Sequence, residues 1–148
     1  VTVCGGVRLY GYNLYLGEGV WVSPEVLFYS SPSAKIMVGD RCDIGPGVCF
    51  ITGTHEIGTS ERRAGVGTSK PIKVGNGCWV GARAIILGGA EIAAGCVVAA
   101  GAVVLPAQYP PNVLLAGVPA TIRRDLSNEG WPAHPQSLPD KKSEKENI

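Results

Sequence analysis

The sequence predicts an all-β solenoid in which a short strand and a tight corner alternate every six residues. Three observations carry this reading. From Val74 to Tyr109 a branched aliphatic returns at the first position of every hexad: Val74, Val80, Ile86, Ile92, Val98 and Val104. The fifth position is small in all but the last hexad (Cys78, Ala84, Ala90, Cys96, Ala102). Glycine or alanine fills most second and fourth positions. A period of six suits neither an amphipathic helix nor a hairpin strand, whose periods are about 3.6 and about 2. Self-similarity at a fixed period marks stacked repeats. The large residue fills the interior, the small one lets the corner close, and glycine allows turn conformations that other residues enter only at a cost.

Taken in order, Val1 to Tyr15 has no clear period and reads as an edge strand or lead-in, with Val7, Leu9 and Tyr10 available to cover the open end of the solenoid. Weak repeats begin at Leu16-Gly-Glu-Gly-Val-Trp21 and Val22-Ser-Pro-Glu-Val-Leu27, followed by Phe28. The register then slips at Ser30-Ser-Pro-Ser33, which has the chemistry of an irregular corner. It resumes at Val38-Gly-Asp-Arg-Cys-Asp43 and Ile44-Gly-Pro-Gly-Val-Cys49, then Phe50. Phe50 and Val74 are 24 residues apart, so the phase survives while the polar, glycine-rich stretch between them does not fit it. Residues 52–71 therefore leave the wall as a projecting loop, and a long loop tied at both ends to rigid coil is where function is expected. After Tyr109 come a turn, a short strand and a second turn, and Arg123 to Leu126 reads as the start of a short helical cap. The repeats amount to about four to five triangular coils. One domain spans 1–126, and 127–148, which holds Trp131 and His134, reads as a flexible polar tail.

Composition excludes several classes. A net charge of +1 gives no footprint for nucleic acid or an anionic membrane surface. Ile92 to Ile122 lacks charge over a length that would span a bilayer, but it is broken by Pro106, Pro110, Pro111 and Pro119 and keeps the six-residue period in its first half, so no transmembrane segment is expected. Cys42, Cys78 and Cys96 fall at the inward fifth position as small apolar fillers, with Cys4 and Cys49 outside that pattern. Five cysteines that make no disulfide framework, and no basic apolar leader, suggest a reduced, cytoplasmic protein.

His55 is the leading catalytic candidate. It follows Thr52-Gly-Thr54 at the root of the loop, with Glu56, Arg62 and Arg63 close in sequence. Imidazole titrates near pH ~6.5, which suits a general base at neutral pH. Arg62 and Arg63 are either solvated loop charges or a grip on acceptor or donor phosphate. Cys49 and His55 could in principle form a nucleophile pair, although a wall thiol is the simpler account of Cys49. Two histidines and no Cys-x-x-Cys pair leave no zinc site, and no metal is expected. Neither a Gly-x-Ser-x-Gly elbow nor a P-loop is present.

The hexads, the loop Gly53-Thr-His-Glu56, the segment Lys70-Pro-Ile-Lys-Val-Gly-Asn-Gly-Cys-Trp-Val-Gly81, Pro110-Pro-Asn112 and Ala116-Gly-Val-Pro-Ala120 together resemble the hexapeptide-repeat acyltransferases. Within them the resemblance is to the galactoside and maltose O-acetyltransferases and the polysaccharide O-acetyltransferases. It covers about residues 16–126. It implies a left-handed parallel β-helix, where the general preference for crossovers is right-handed. It implies a homotrimer with active sites between subunits, acetyl-CoA as donor and a sugar or glycan hydroxyl as acceptor. By matching position it makes His55 the general base. Trp79, Gly81, Ala82, Ala100 and Gly101 would line the CoA channel, and Arg124 or Arg123 would reach the nucleotide phosphates. Trp79 could instead shield a subunit interface, and the small residues are required by the coil in any case. Glu56 stands where relatives often carry proline, and Ser23-Pro-Glu25 where they offer an asparagine, so Glu25, Glu56, Arg62 and Arg63 are the candidates for acceptor contact. The expected function is acetyl transfer from acetyl-CoA to a sugar hydroxyl by direct attack on the thioester. N-acetylation of an amino sugar, O-acetylation of a small alcohol such as serine, and a catalytically silent trimeric scaffold are the alternatives.

Overall fold

A computed structural model describes residues 1–129; most of the tail expected over 127–148, including Trp131 and His134, lies outside the described residues. Three parallel walls enclose a triangular core. The first wall stacks Thr2–Val3, Trp21–Val22, Asp43–Ile44, Trp79–Val80, Val97–Val98 and Val113–Gly117. The second stacks Arg8–Tyr10, Leu27–Tyr29, Cys49–Ile51, Ile85–Leu87 and Val103–Val104. The third stacks Leu14–Leu16, Ile36–Val38, Ile72–Val74, Glu91–Ile92 and Gln108–Tyr109. The chain visits the walls in that order, giving five full coils and the first strand of a sixth, one more than the lower count from the repeats.

The first-position aliphatics form the core as expected: Val74, Val80, Ile86, Ile92, Val98 and Val104 are all at most 4% exposed, and the fifth-position residues are as well buried. Phe28 and Phe50 fill the second wall with rings stacked at 5.0 Å and 9°. Each such side chain contributes roughly 1.5–3 kcal/mol by leaving water. Cys42, Cys78 and Cys96 stack inside the third-to-first corner, and their thiols donate to the carbonyls of Gly75, Ala93 and Pro110 at 3.1, 3.2 and 3.2 Å.

The corners explain the fourth position. Gly19, Gly47, Gly77, Gly89, Gly95 and Gly101 all have positive φ, as do Glu25, Arg41 and Arg83 in the equivalent places. At the first-to-second and third-to-first corners this left-handed residue donates its N–H to a corner carbonyl of the preceding coil, as Arg83 does to Pro46 and Gly101 to Ala82 at 2.9 Å each. Stacked corners thus continue the hydrogen-bonded ladder of the walls.

Four expectations change. Val1 to Tyr15 is not a lead-in but the first coil, paired in register with the second (Val3 with Val22, Leu9 with Phe28, Leu16 with Val38). It does not cover the open end: its inward residues Val3 and Leu9 remain 54% and 61% exposed there. Arg123 to Leu126 does not start a helix. Ala120–Asp125 is a strand that folds back antiparallel on Val113–Gly117, where Thr121 and Ile122 suit the extended backbone and the last wall strand offers unpaired groups. The final hexad is one residue short, because Tyr109, not Pro110, pairs with Ile92 and packs against the core. The 52–71 loop is an ordered hairpin, Gly53–Ile57 paired antiparallel with Ala64–Ser69.

Candidate functional site

The hairpin rises from the second-to-third corner of the third coil, and a buried polar residue fixes its root. Thr52 is fully buried; its Oγ1 accepts the Ser31 N–H at 2.9 Å and donates to the Tyr29 carbonyl at 3.3 Å. Its own carbonyl accepts the Lys70 N–H at 3.1 Å, closing the base of the hairpin.

His55 sits opposite Gly67 on this hairpin and is exposed. The register shifts between Ala64 and Gly67, and this bulge brings the Gly65 carbonyl within 3.0 Å of His55 Nδ1. A carbonyl only accepts, so Nδ1 carries the hydrogen and Nε2 keeps a free lone pair. The ring is thereby fixed in orientation and tautomer for taking up a proton. Glu56, the next residue in the strand, projects to the opposite face. Arg63 donates to the Gly58 carbonyl at 3.2 Å and staples the hairpin tip, while Arg62 is exposed beside it. Cys49 does not pair with His55: its thiol, half-buried in the second wall, faces the Gly47 carbonyl at 3.7 Å.

The residues expected to hold the donor lie elsewhere. Gly81, Ala82, Ala100 and Gly101 form the first-to-second corner of the fourth and fifth coils. Trp79 is 58% exposed on the first wall and lines a groove of about 480 Å³ with Val97, Asn112, Leu114, Arg124 and Glu129. Arg124, opposite Leu114, is ion-paired with Glu129 at 3.1 Å, whereas Arg123 is the extra residue of a bulge between the Leu114 and Leu115 pairings. Glu25 stands at the first-to-second corner of the second coil, with φ 61°. Within one chain, then, His55 occupies one edge of the prism and the candidate donor residues another.

Sequence reasoning passed over Arg8 and Arg83, which line a groove of about 630 Å³ with Gly6, Glu25, Gly47 and Cys49. A signal was present: Arg83 fills a fourth position, where glycine or alanine is usual.

Stacked hexads, three parallel walls and the hairpin that projects from the third coil define a left-handed parallel β-helix of the hexapeptide-repeat class. Residues 71–106 match the bacterial transferase hexapeptide (six repeats) family. The chain is similar to the maltose O-acetyltransferase of Clostridium difficile 630, with 29% identity and a TM-score of 0.72 over 84% of this chain and 69% of that one. It is similar to a hexapeptide-repeat-containing acetyltransferase of Vibrio cholerae, with 30% identity and a TM-score of 0.69 over 84% of this chain and 72% of that one; that protein has also been solved complexed with acetyl coenzyme A. It is 38% identical over 120 residues to the sophorolipid acetyltransferase of Starmerella bombicola, covering 81% of this chain and 45% of that protein. The chain belongs to the hexapeptide-repeat acyltransferase family, related to the galactoside and maltose O-acetyltransferases. It spans 56% and 60% of the length of its fission yeast and Dictyostelium relatives.

Proposed function

We propose that this chain carries an acetyl-CoA-dependent O-acetyltransferase site that acts on a sugar or glycan hydroxyl, assembled between copies of a homotrimer, with His55 as general base. The observation that carries the reading is the fixed His55 imidazole, with Nδ1 held by the Gly65 carbonyl and Nε2 free on an exposed hairpin. The Nε2 lone pair takes the proton of the acceptor hydroxyl as that oxygen attacks the thioester carbonyl, and returns it to the sulfur as the carbon–sulfur bond breaks. A positioned base of this kind contributes about 10²–10⁴-fold.

The donor supplies an acetyl thioester on a long, thin arm. The small residues Gly81, Ala82, Ala100 and Gly101 allow such an arm close approach to the corner, and the Trp79 groove offers apolar surface beside it. Arg124 lines the same groove, ion-paired with Glu129, and it or Arg123 would meet phosphate near the C-terminal end.

Threefold assembly is supported by the outward face of the second wall. Leu27, Cys49, Ile85 and Val103 form one column and Tyr10, Tyr29, Ile51 and Leu87 the next, with Arg8 the sole charge in either. The outward face of the third wall instead carries Lys73 and Glu91 in an ion pair at 2.9 Å. A closed ring with the apolar wall inward sets each copy's second-to-third corner beside the next copy's first-to-second corner. That juxtaposition brings His55 of one copy to Gly81, Ala82, Ala100 and Gly101 of another, which no single chain achieves.

Thiol release from acetyl-CoA, assayed across mono- and oligosaccharide acceptors, tests the reading. His55→Ala is expected to lower kcat at least 100-fold with the protein still folded. Equal turnover by both proteins would remove His55 as the base. Sedimentation is expected to show a trimer, and a stable monomer at micromolar concentration would remove the shared site.

A further inference from the structure

The fourth position of the hexad is left-handed, and glycine adopts that backbone at least cost. Glu25, Arg41, Arg83 and Asn112 depart from it, with φ of 61°, 51°, 58° and 55°. Two of the four departures, Glu25 and Arg83, stand on the first-to-second corner and line the same groove, together with Arg8. Their side chains lean along the corner toward its N-terminal end. A Cβ on Gly6 would meet Glu25 Cγ at 3.5 Å, and one on Gly47 would meet Arg83 Cγ at 3.3 Å. The ion pairs among the described residues are Lys73–Glu91 and Arg124–Glu129, so Arg8, Arg83 and Glu25 are uncommitted. Two guanidinium groups against one carboxylate leave the groove net positive. Each guanidinium presents a planar fork of donors that matches a carboxylate or phosphate.

Position along the corner gives the groove its role. The candidate donor residues Gly81, Ala82, Ala100 and Gly101 belong to the fourth and fifth coils, and the hairpin bearing His55 leaves the third. The groove extends over the first three coils, with Arg83 reaching back over Gly47 from the fourth. In the ring proposed above it would lie beside the partner's hairpin, on the opposite side of the base from the donor.

Resting on the interfacial reading above, we propose that Arg8 and Arg83 bind an acid group of the acceptor, carboxylate or phosphate, and that Glu25 accepts a hydrogen bond from one of its hydroxyls. The acceptor is then an anionic, hydroxylated molecule such as an acidic or phosphorylated sugar rather than a neutral one.

Two measurements test this. The first is calorimetric binding of glucose, glucuronate and glucose 6-phosphate to the protein without donor, for wild type, Arg83→Gln, Arg8→Gln and Arg41→Gln. At least one acid is expected to bind wild type tenfold or more tightly than glucose, and the acid that does so distinguishes carboxylate from phosphate. Arg83→Gln and Arg8→Gln are expected to lose that preference. Arg41→Gln, the same residue in the same backbone conformation at another corner, is expected to keep it. No preference for either acid in wild type, or unchanged acid binding in Arg83→Gln, overturns the proposal. Variants that only weaken association between copies in sedimentation overturn it too, by making the arginines interface residues. The second measurement is thiol release from acetyl-CoA with the same three acceptors. Acid binding that is lost in Arg83→Gln, with no thiol release from any acceptor, leaves the anion site standing and removes acetyl transfer. Thiol release at equal kcat/KM from glucose and both acids removes the anion site and leaves acetyl transfer standing.

Discussion

Gly81 was a candidate donor contact by position, yet the coil itself demands it, and three glycine-to-alanine changes measure that demand. A Cβ on Gly81 would lie 2.6 Å from the Ala100 nitrogen, 2.8 Å from the Val98 oxygen and 2.9 Å from the Ala99 carbonyl carbon. All three are backbone atoms of the next coil, so relief requires the coils to part and the Gly81 N–H to Val98 carbonyl bond of 2.7 Å to stretch. Overpacking of this kind costs about 1–3 kcal/mol, and a contact with rigid backbone belongs at the upper end. Gly77 has open space around its missing Cβ but φ of +66°, so Gly77→Ala isolates backbone strain, about 1–2 kcal/mol. Gly5 has open space and no positive φ, so Gly5→Ala is expected to be neutral or to stabilise by about 0.5 kcal/mol through the unfolded chain. Urea unfolding followed by circular dichroism, at one fixed protomer concentration because association shifts the midpoint, should rank the variants Gly5→Ala, Gly77→Ala, Gly81→Ala from most to least stable. If Gly81→Ala is as stable as Gly5→Ala, the steric account of the corner is wrong and a role in donor contact regains its claim on Gly81.

Three further outcomes are expected. Arg41→Gly, which relieves φ of 51° at a corner outside the proposed site, should stabilise the protein by about 0.5–1 kcal/mol in the same assay, and a loss of stability would mean that the Arg41 side chain makes a contact worth more than the strain. Thr52→Val strips the hydroxyl that accepts from Ser31 and donates to Tyr29, and should cost about 1–3 kcal/mol; a change below about 0.5 kcal/mol would show that the freed Ser31 N–H finds another partner. Iodoacetamide should spare Cys42, Cys78 and Cys96 in the native protein and label them in urea, whereas the half-buried Cys4, on the first wall, should react first; hydrogen bonding to Cys42 and then Cys96, followed by burial, pushes the Cys78 thiol above its ordinary range, so rapid native labelling of Cys78, read by mass spectrometry, would contradict a closed core.

The solenoid was legible because its interior imposes one rule on every coil: an aliphatic residue must return each time the chain crosses a wall. Where that rule bent, legibility fell. Val3, Leu9, Leu16 and Val22 keep the rule through the first coil, but seven residues separate Leu9 from Leu16, and that single extra residue hid the period. The strand Ala120–Asp125 was hidden for a different reason. Its partner is the last strand of the first wall, a tertiary opportunity that no local pattern announces. The hairpin root was found because Thr52 to Pro71 cannot occupy a wall, but the bulge that aims the Gly65 carbonyl at His55 depends on strand pairing and left no mark in the composition.

The corners lie between these cases. Their fourth position asks for glycine on backbone grounds alone, so glycine there says nothing about function, and the same holds for Gly101 despite its place among the candidate donor residues. A charged residue there says more, because it is kept against the conformational preference of the site. The second position carries a parallel constraint from sterics. Gly75 and Gly81 lie beneath the Ala94 and Ala100 nitrogens, where an added Cβ would come within 2.5 and 2.6 Å. In a solenoid whose walls obey one rule, function is therefore best sought where a residue violates the requirement of its own corner without a packing reason. Arg83 and Glu25 meet that criterion in one groove, two coils apart on the edge that threefold assembly would turn toward His55.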